Sequence, residues 1–511
     1  MTIETLHKWQ RIMLFGLIIT LPLTTIPKAV QILGMGASLS DYFFVAGLLL
    51  IVYEFIKYGF VIDKKIKYFF VIYVLWQIIC LIHGLYIYQF NELLTLDQIS
   101  KLEFILNKLN SLGIVIDELL AIKCWLFIRF TKNIIFLNNE IFLVVFYIYH
   151  LYRDNFNKGF YDIRKAVLCL ILIMGGYSLI ELLWLKLSLN SAAEILVMIN
   201  PLLYDPISNH GWWPPLLWNN QLRSICTEPS YFGIISILSL PILWSYVFED
   251  KKRKWIYVFI FYFLFMIFAT NARTAIVVTA GEMFLLFMSC FFVRKKIYIK
   301  KVVSILLIAF LAFSANLIDY KSIFNITEKK SSYLTSIENY MEGNVASLAN
   351  KDSRSNSARL ANLVANLNTI VEYPIFGIGT GLKDAYLDKN LPDFAYDNNE
   401  VMNAWHKHMV EEGVLKSGYP ALNKYADVAV QNGIIGLLMY LSVVIYLLYN
   451  MFRYRKLLLQ DYRIICLIIS MIGLLMAQIS NAALVNCSGI VWGLLYCVIE
   501  NMKYKKGKIN E

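Results

Sequence analysis

The sequence predicts an all-α polytopic membrane protein with about twelve transmembrane helices and one large extracytoplasmic loop that contains amphipathic helices. Of its 511 residues, 59% are hydrophobic and 16% are charged, whereas an ordinary soluble domain has roughly 25% charged residues. Hydrophobic runs of the length that a helix needs to cross a bilayer recur along almost the whole chain. The basic residues between these runs cluster on alternate connections, which indicates a fixed orientation in a membrane.

The hydrophobic runs define the predicted regions. The first follows Lys8 and Arg11 but is too long for a secretory signal and lacks a small-x-small cleavage site, so we interpret it as a retained anchor. Residues 142–152 form a run too short to span, which we expect to lie at the membrane interface. The runs begin near residues 12, 41, 67, 114, 166, 227, 255, 273, 301, 433, 463 and 484. The predicted regions are N-terminal transmembrane helices (1–188, about five), a first outer loop (189–226), central transmembrane helices (227–318, about four), a large periplasmic loop (319–432), C-terminal transmembrane helices (433–502, about three) and a cytoplasmic basic tail (503–511).

The charge distribution predicts the orientation. With a cytoplasmic N-terminus, every basic cluster, such as Lys251–Lys254 and the tail Lys503–Lys508, falls on the cytoplasmic side, as the positive-inside rule requires. Both termini are then cytoplasmic and the two long loops are outside. The net charge of +11 would favour a nucleic-acid partner in a soluble protein; here it reflects membrane orientation, and we predict no nucleic-acid binding.

The large loop contains a predicted amphipathic helix over residues 357–372, which would lie along the membrane surface or cap the helix bundle. One face carries Arg359, Asn362, Asn366 and Thr369 in a row, a cation with amide and hydroxyl groups that suits a sugar phosphate. An ordinary solvated helix face is the alternative. The apolar positions at helical spacing are Leu360, Leu363, Val364, Leu367, Ile370 and Val371.

A glycine-rich turn follows this helix. Pro374 ends the helix, and the turn spans Phe376–Gly381. Glycine-rich turns can cradle phosphate groups, but no strand precedes this one and no GK[ST] follows. The turn is therefore weak as a nucleotide site.

Three charged residues are expected near the outer membrane face, where ionisable groups are costly and usually functional. Arg223 and Glu228 flank the start of the sixth span, and Arg273 lies in a short connection between two spans. Arginine suits phosphate oxygens because its planar fork donates two parallel hydrogen bonds and stays charged. These arginines would hold a pyrophosphate; the alternative is an Arg223–Glu228 ion pair with Arg273 as an interfacial anchor.

Two histidines in the large loop, His406 and His408, are candidates for a general base, because the pKa of histidine lies near operating pH. Solvated histidines on an exposed loop are the alternative. The sequence has no HxxEH or HExxH pattern, so we predict no metal in the site.

Four segments resemble the O-antigen polymerase and ligase superfamily, over roughly residues 223–440. The chain departs from the family at Leu422, where a histidine often precedes the asparagine, so no base can be transferred to that position. The segments are Thr227–Gly233, similar to an EPSxFG segment; Thr270–Ala275, similar to an SRTA-type helix start; Ser357–Leu360 through Tyr373–Gly379, similar to an arginine, a helix and PxFGxG; and Leu422–Tyr425 to Gln431–Gly436, similar to an HN, a helix and GxxG.

The resemblance implies a metal-independent, cofactor-free glycosyltransferase of the bacterial inner membrane. A glycan on undecaprenyl pyrophosphate would be the donor, and the hydroxyl of a single lipid-linked repeat unit the acceptor, with membrane lipid and a chain-length regulator as partners. Arg273 and Arg359 would stabilise the charge that develops on the pyrophosphate, and Glu228 would position an arginine or the acceptor. The remaining predicted site residues are His406 and His408 as bases and Arg223, Arg354, Asn362, Asn366 and Asn423 as substrate-binding groups.

Two other functions fit the same pattern. A ligase that transfers finished glycan to a lipid A core would share the frame and the arginines. A polysaccharide flippase or transporter would also be polytopic, but transporters commonly show paired repeats and broken helices at mid-membrane. Here the charged residues gather at one face beneath one long loop, which argues against a transporter. The Glu228–Gly233 segment and the missing histidine at Leu422 favour a polymerase over a ligase.

Overall fold

The computed structural model describes residues 2–32, 36–88, 94–205, 221–249, 254–318, 320 and 354–510. Regular structure in these ranges is helical, which confirms the prediction of an all-α polytopic membrane protein. The helices are α1 (Ile3–Ile19), α2 (Leu39–Tyr58), α3 (Lys64–Ile87), α4 (Ser100–Ser111), α5 (Glu118–Asn133), α6 (Glu140–Tyr152), α7 (Phe156–Leu187), α8 (Asn190–Leu203), α9 (Pro229–Phe248), α10 (Trp255–Ala269), α11 (Arg273–Val293), α12 (Lys296–Asn316), α13 (Arg354–Glu372), α14 (Lys383–Lys389), α15 (Lys407–Glu412), α16 (Lys424–Arg453), α17 (Arg455–Leu458), α18 (Tyr462–Ala477) and α19 (Val485–Asn510).

Seven helices in the described ranges are long and apolar enough to cross a membrane, and the bent pair α5–α6 would be an eighth. Each of the twelve predicted runs overlaps a helix, but α1, α5, α10 and α18 have only 17, 16, 15 and 16 residues. The number twelve and the region boundaries therefore stay predictions. Residues 206–220, in the first outer loop, and 321–353, in the large loop, lie outside the described ranges.

Helix α9 lies at the centre of the bundle. In an 18-residue apolar stretch of α9, 94% of the residues are buried. Helices α18, α11 and α10 pack around it. A helix that is apolar all round can be buried on every side, and the sequence of α9 from Phe232 to Phe248 has no charged residue. This central helix presents its N-terminal end, with Glu228 as the N-cap residue, to the candidate site.

Helix α6 covers the short run that we expected to lie at the membrane interface. Val144, Tyr147 and Ile148 of this helix are fully buried, and α6 packs along α19. By length and composition, α5 and α6 together could form one span that bends by 47°. A π-helical turn, Ile134–Asn138, joins the two helices. The interfacial position of residues 142–152 stays a prediction.

A second apolar core lies beneath the large loop, separate from that of the main bundle. Side chains at the end of α3 and from α4 and α5 meet α13, α14 and the chain that follows them. The alanines Ala358, Ala361 and Ala365 of α13 are all fully buried in it. Small residues allow this close approach, so the described part of the large loop is a packed layer over one end of the bundle.

Candidate functional site

The glycine-rich turn docks the loop onto a break in α16. Gly433 interrupts this helix with φ 68° and ψ 179°, which frees backbone carbonyls on the preceding turn. Ile378 N and Gly379 N donate to the oxygens of Val430 and Gln431 at 2.9 and 3.0 Å, and Ile434 N donates to the Pro374 oxygen at 2.8 Å. The glycines of the turn thus serve a backbone-to-backbone contact that positions α13 over the bundle.

Arg273, the first residue of α11, faces the start of α13. Its Nη1 donates to Asn356 Oδ1 at 2.7 Å, and the side chain is half-buried. The next residue, Thr274, shares a 3.1 Å hydrogen bond with Ser480 in the connection between α18 and α19. The N-terminal end of a helix carries partial positive charge, so Arg273 and the end of α11 present positive charge at the same place.

Arg359 joins this arrangement from α13. Its Nη1 donates to the Ser480 backbone oxygen at 3.0 Å. Burial lowers the pKa of the Arg359 guanidinium; the Glu400 and Glu228 carboxylates oppose the shift, and the Arg273 guanidinium adds to it. The structure therefore brings together Arg273, Arg359 and Glu228, and we call these three residues with Glu400 the outer charge cluster.

The outer charge cluster contains two like charges close enough to repel each other. Such an arrangement is unfavourable unless an anion or a carboxylate lies nearby. Glu228 is half-buried, and its Oε2 accepts from the Ser230 hydroxyl at 2.9 Å. Guanidinium groups are donors of the kind that binds an anion with several oxygens, such as a phosphate ester or a pyrophosphate.

Arg223 lies in a different set of contacts. Its backbone N–H and that of Ser224 donate to the Glu181 carboxylate at 3.1 and 2.8 Å, and its guanidinium lies 5.1 Å from the ring centre of Tyr204. The side chain is 4% exposed, and its Nε has no hydrogen-bond partner in the described ranges. Among the described residues no ion pair joins Arg223 to Glu228, and the Glu181 carboxylate is held by backbone N–H groups of the Arg223 segment.

The predicted asparagines occupy structural positions. Asn362 is 2% exposed and donates to the Pro420 oxygen at 3.2 Å, and Asn366 is 5% exposed and donates to Asn362. Asn423 caps α16 by accepting from Tyr425 N and Ala426 N, both at 3.0 Å. Substrate binding by these asparagines stays a prediction. The side chain of Arg354 lies outside the described residues.

The two histidines have different surroundings. His406 Nδ1 lies 2.7 Å from Asp388 Oδ1, and the Tyr419 hydroxyl donates to the same oxygen at 2.5 Å. Burial raises the pKa of Tyr419, and the Asp388 carboxylate adds to the shift, so the phenol remains a donor. His408 is half-buried on α15. His406 has a carboxylate partner of the kind that orients a histidine base.

Sequence reasoning missed several groups that complete the site. Asn356 lies three residues before Arg359, so the helical spacing of α13 was a signal that could have found it. Asp388 lies in α14, Glu400 begins a π-helical turn, and Ser480 lies far along the chain in a short connection. No local pattern marks these three. Only the fold brings them to the arginines or to His406.

Comparison with known proteins supports the resemblance. Residues 258–441 match the family model described as O-Antigen ligase. The matched region runs from α10 into α16 and includes Arg273, Arg359 and both histidines. It confirms the predicted relation to the O-antigen ligase and polymerase superfamily. No curated protein matches the chain significantly.

Proposed function

We propose that this membrane protein, whose residues 258–441 form an O-antigen ligase family domain, is a polysaccharide polymerase. Proteins of this family are glycosyltransferase-like enzymes that act on lipid-linked glycans. The proposed reaction joins repeat units carried on undecaprenyl pyrophosphate at the periplasmic face of the inner membrane, with both termini in the cytoplasm and a chain-length regulator as partner. The outer charge cluster is the observation that carries the proposal.

The cluster fits a pyrophosphate leaving group. Arg273 and Arg359 come from different elements and both carry positive charge, so a pyrophosphate that binds both gains hydrogen bonds from two guanidinium groups. Negative charge develops on the pyrophosphate as the glycosidic bond breaks. Groups already fixed where that charge appears stabilise the transition state more than the ground state. Hydrogen bonds to Asn356 and Ser480 fix the two arginines in this way.

The bond changes follow from this placement. The oxygen of an acceptor hydroxyl attacks the anomeric carbon of the donor glycan, and the bond from that carbon to the pyrophosphate oxygen breaks. Undecaprenyl pyrophosphate leaves with the electron pair of that bond, and the hydroxyl proton passes to a base. The energy comes from the glycosyl pyrophosphate bond, so the reaction needs no nucleotide, and the arginines supply the positive charge.

His406 is the proposed base. The Asp388 carboxylate at 2.7 Å holds the proton on Nδ1, which makes Nε2 the nitrogen that accepts the hydroxyl proton. Glu228 is proposed to position the acceptor hydroxyl or an arginine, because its carboxylate acts on Arg359. The position before the family asparagine is Leu422 in this chain, so His406 would replace the base expected there.

A ligase is the second candidate, because the matched family model carries that description. A ligase would use the same donor and the same arginines, and would differ in its acceptor, a lipid A core in place of a lipid-linked repeat unit. The two activities therefore predict different fates for the glycan when the protein is absent.

The test is the electrophoretic profile of the host's surface polysaccharide after deletion of the gene. The strain is complemented with the wild-type protein, Arg273→Ala or the matched control Arg129→Ala. Arg129 is an exposed arginine on α5 that donates to the Leu415 oxygen and lies outside the outer charge cluster. Immunoblots check that all three proteins reach equal levels.

The polymerase proposal expects the ladder to collapse to single-repeat glycan. Wild type and Arg129→Ala restore the ladder, and Arg273→Ala does not. If all glycan disappears from the surface while polymer accumulates on the lipid carrier, the protein is a ligase. An unchanged ladder in the deletion strain refutes both functions.

A further inference from the structure

A second group of ionisable residues lies at the opposite end of the bundle from the outer charge cluster. His7 of α1, Glu54 of α2 and His150 of α6 meet there, where the charge distribution predicts the cytoplasm. Both histidines point Nε2 at the Glu54 carboxylate, His7 at 3.0 Å from Oε1 and His150 at 3.0 Å from Oε2. We call these three residues and Gln10 the inner histidine cluster.

The inner histidine cluster has the geometry of a metal site. One ligand atom from each of His7, Glu54 and His150 lies within 4.8 Å of the other two. A tetrahedral zinc ion with nitrogen and oxygen ligands at about 2.0–2.2 Å separates its ligand atoms by roughly 3.3 Å. The observed nitrogen-to-oxygen distances of 3.0 Å are therefore close to those around a bound ion, and small side-chain shifts would admit it.

Gln10 provides an independent observation. It is 0% exposed, and its Nε2 donates to Glu54 Oε2 at 2.7 Å. Its amide oxygen, Oε1, is buried with no hydrogen-bond partner in the described part of the chain. A half-turn of the amide would exchange oxygen and nitrogen and direct Oε1 at the cluster, where a cation would satisfy it.

The charge balance favours a cation. Glu54 has 4% of its side chain exposed, and its ion pairs among the described residues are with the two histidines. One imidazolium would suffice to neutralise this carboxylate. Burying a second imidazole and an amide beside the same carboxylate then costs free energy that no charge pairing returns. A divalent metal ion would use all four side chains as ligands.

The cluster is reachable from solvent. A cavity of about 360 Å³ borders it and is lined by Glu4, His7, Arg11, Leu151, Tyr152 and Lys158. His7 belongs both to this cavity and to the cluster, so an ion entering the cavity meets a ligand directly. His150 is nearly buried, with 6% of its side chain exposed, which protects the inner side of the site from water.

We propose that the inner histidine cluster binds a divalent transition-metal ion, with zinc preferred, that joins α1, α2 and α6. Two imidazoles and a carboxylate are ligands that suit zinc, and an amide oxygen or a water would complete four-fold coordination. The ligands are 47 and 96 residues apart along the chain, which explains why no zinc motif marks them. The site is independent of the proposed glycosyl transfer.

The test measures zinc bound to the full-length protein, purified in detergent without a polyhistidine tag. The protein is incubated with zinc chloride, passed through a desalting column and analysed by mass spectrometry of the metal. The variants are Glu54→Gln and His150→Gln. The matched control is His83→Gln, which changes a histidine of α3 that packs on Phe376 and is not part of the cluster.

Wild type and His83→Gln are expected to retain about one zinc ion per chain, and the two cluster variants less than about a tenth of that. Zinc should also raise the melting temperature of wild type and leave that of His150→Gln unchanged, a comparison that holds even if a variant is less stable at the outset. Wild-type protein without zinc, or cluster variants that retain as much zinc as wild type, would overturn the proposal.

Discussion

Replacing Gly433 by alanine tests how the large loop is held on the bundle. Gly433 adopts φ 68°, and a Cβ added there would lie 1.8 Å from the Ile375 oxygen. A contact that short cannot form, and the atom it meets belongs to the backbone. The Gly433→Ala chain must therefore move the Pro374–Gly379 segment away from α16.

The cost follows from what that movement breaks. Positive φ with extended ψ costs a non-glycine residue about 1–3 kcal/mol, and the contact with the Ile375 oxygen adds to that strain. Separation of the two segments relieves the strain but gives up three backbone hydrogen bonds, from Ile378 N, Gly379 N and Ile434 N, at about 1 kcal/mol each. We therefore expect the loop to lose about 3 kcal/mol of protection against opening, which corresponds to roughly a 100-fold change in the opening equilibrium.

Hydrogen exchange of the purified protein, followed by mass spectrometry of peptides that cover residues 374–379 and 430–434, measures this opening directly. The matched control is Gly176→Ala in α7, because a Cβ at Gly176 meets no atom within 4 Å. The control should leave exchange in both peptides unchanged. Wild-type exchange rates in Gly433→Ala would refute the docking of the loop through the break in α16.

Two further predictions concern buried carboxyl groups. Burial raises the pKa of Asp384 to about 6, against the attraction of Lys383. Because the pKa of Asp384 is higher in the folded protein than in the unfolded chain, where it is about 4, the folded protein holds the proton more tightly. The protonated carboxyl therefore contributes most to the free energy of unfolding below pH 4, and this contribution is lost as the pH rises through 6. Asp384→Asn keeps an acceptor for Tyr419 N and should remove that decline from melting temperatures measured between pH 4 and 7; an unchanged decline contradicts the assignment. Glu282 is 1% exposed, and both its carboxylate oxygens lack hydrogen-bond partners in the described ranges, so Glu282→Met should stabilise the protein by roughly 1–3 kcal/mol. A melting temperature below that of wild type would show that the carboxylate has a partner in the native protein.

Much of the bundle was predictable because spans depend on length and composition alone. Each predicted run corresponds to a helix, and the amphipathic helix in the large loop is α13. Arg273 and Arg359 were predicted as one group from the resemblance, and the structure brings them together with Glu228. The join between α5 and the short run at residues 142–152, through a π-helical turn, is a feature that periodicity does not reveal.

The orientation of α13 was not predictable from its pattern. Periodicity shows that a helix has two faces, but not which of them meets the protein. Leu360, Leu367 and Val371 are 39%, 50% and 80% exposed, whereas Asn362 and Thr369 are 2% and 0% exposed. The small side chains beside the polar row allow close packing, and the buried Asn362 and Thr369 side chains donate hydrogen bonds to backbone oxygens. The polar face of α13 is therefore the one that packs against the protein.

The separate segments that carry the resemblance contact one another in the structure. Pro374–Gly379 docks on residues 430–434, and both Thr274 and Arg359 bind Ser480. Residues that are far apart in sequence thus depend on one another to place two guanidinium groups at one end of α11. Glycines in these segments are required by backbone contacts, as Gly433 shows, while Arg273 and Arg359 are the groups proposed to bind an anionic ligand. A sequence pattern mixes the two kinds of residue, and only the geometry separates the scaffold from the chemistry.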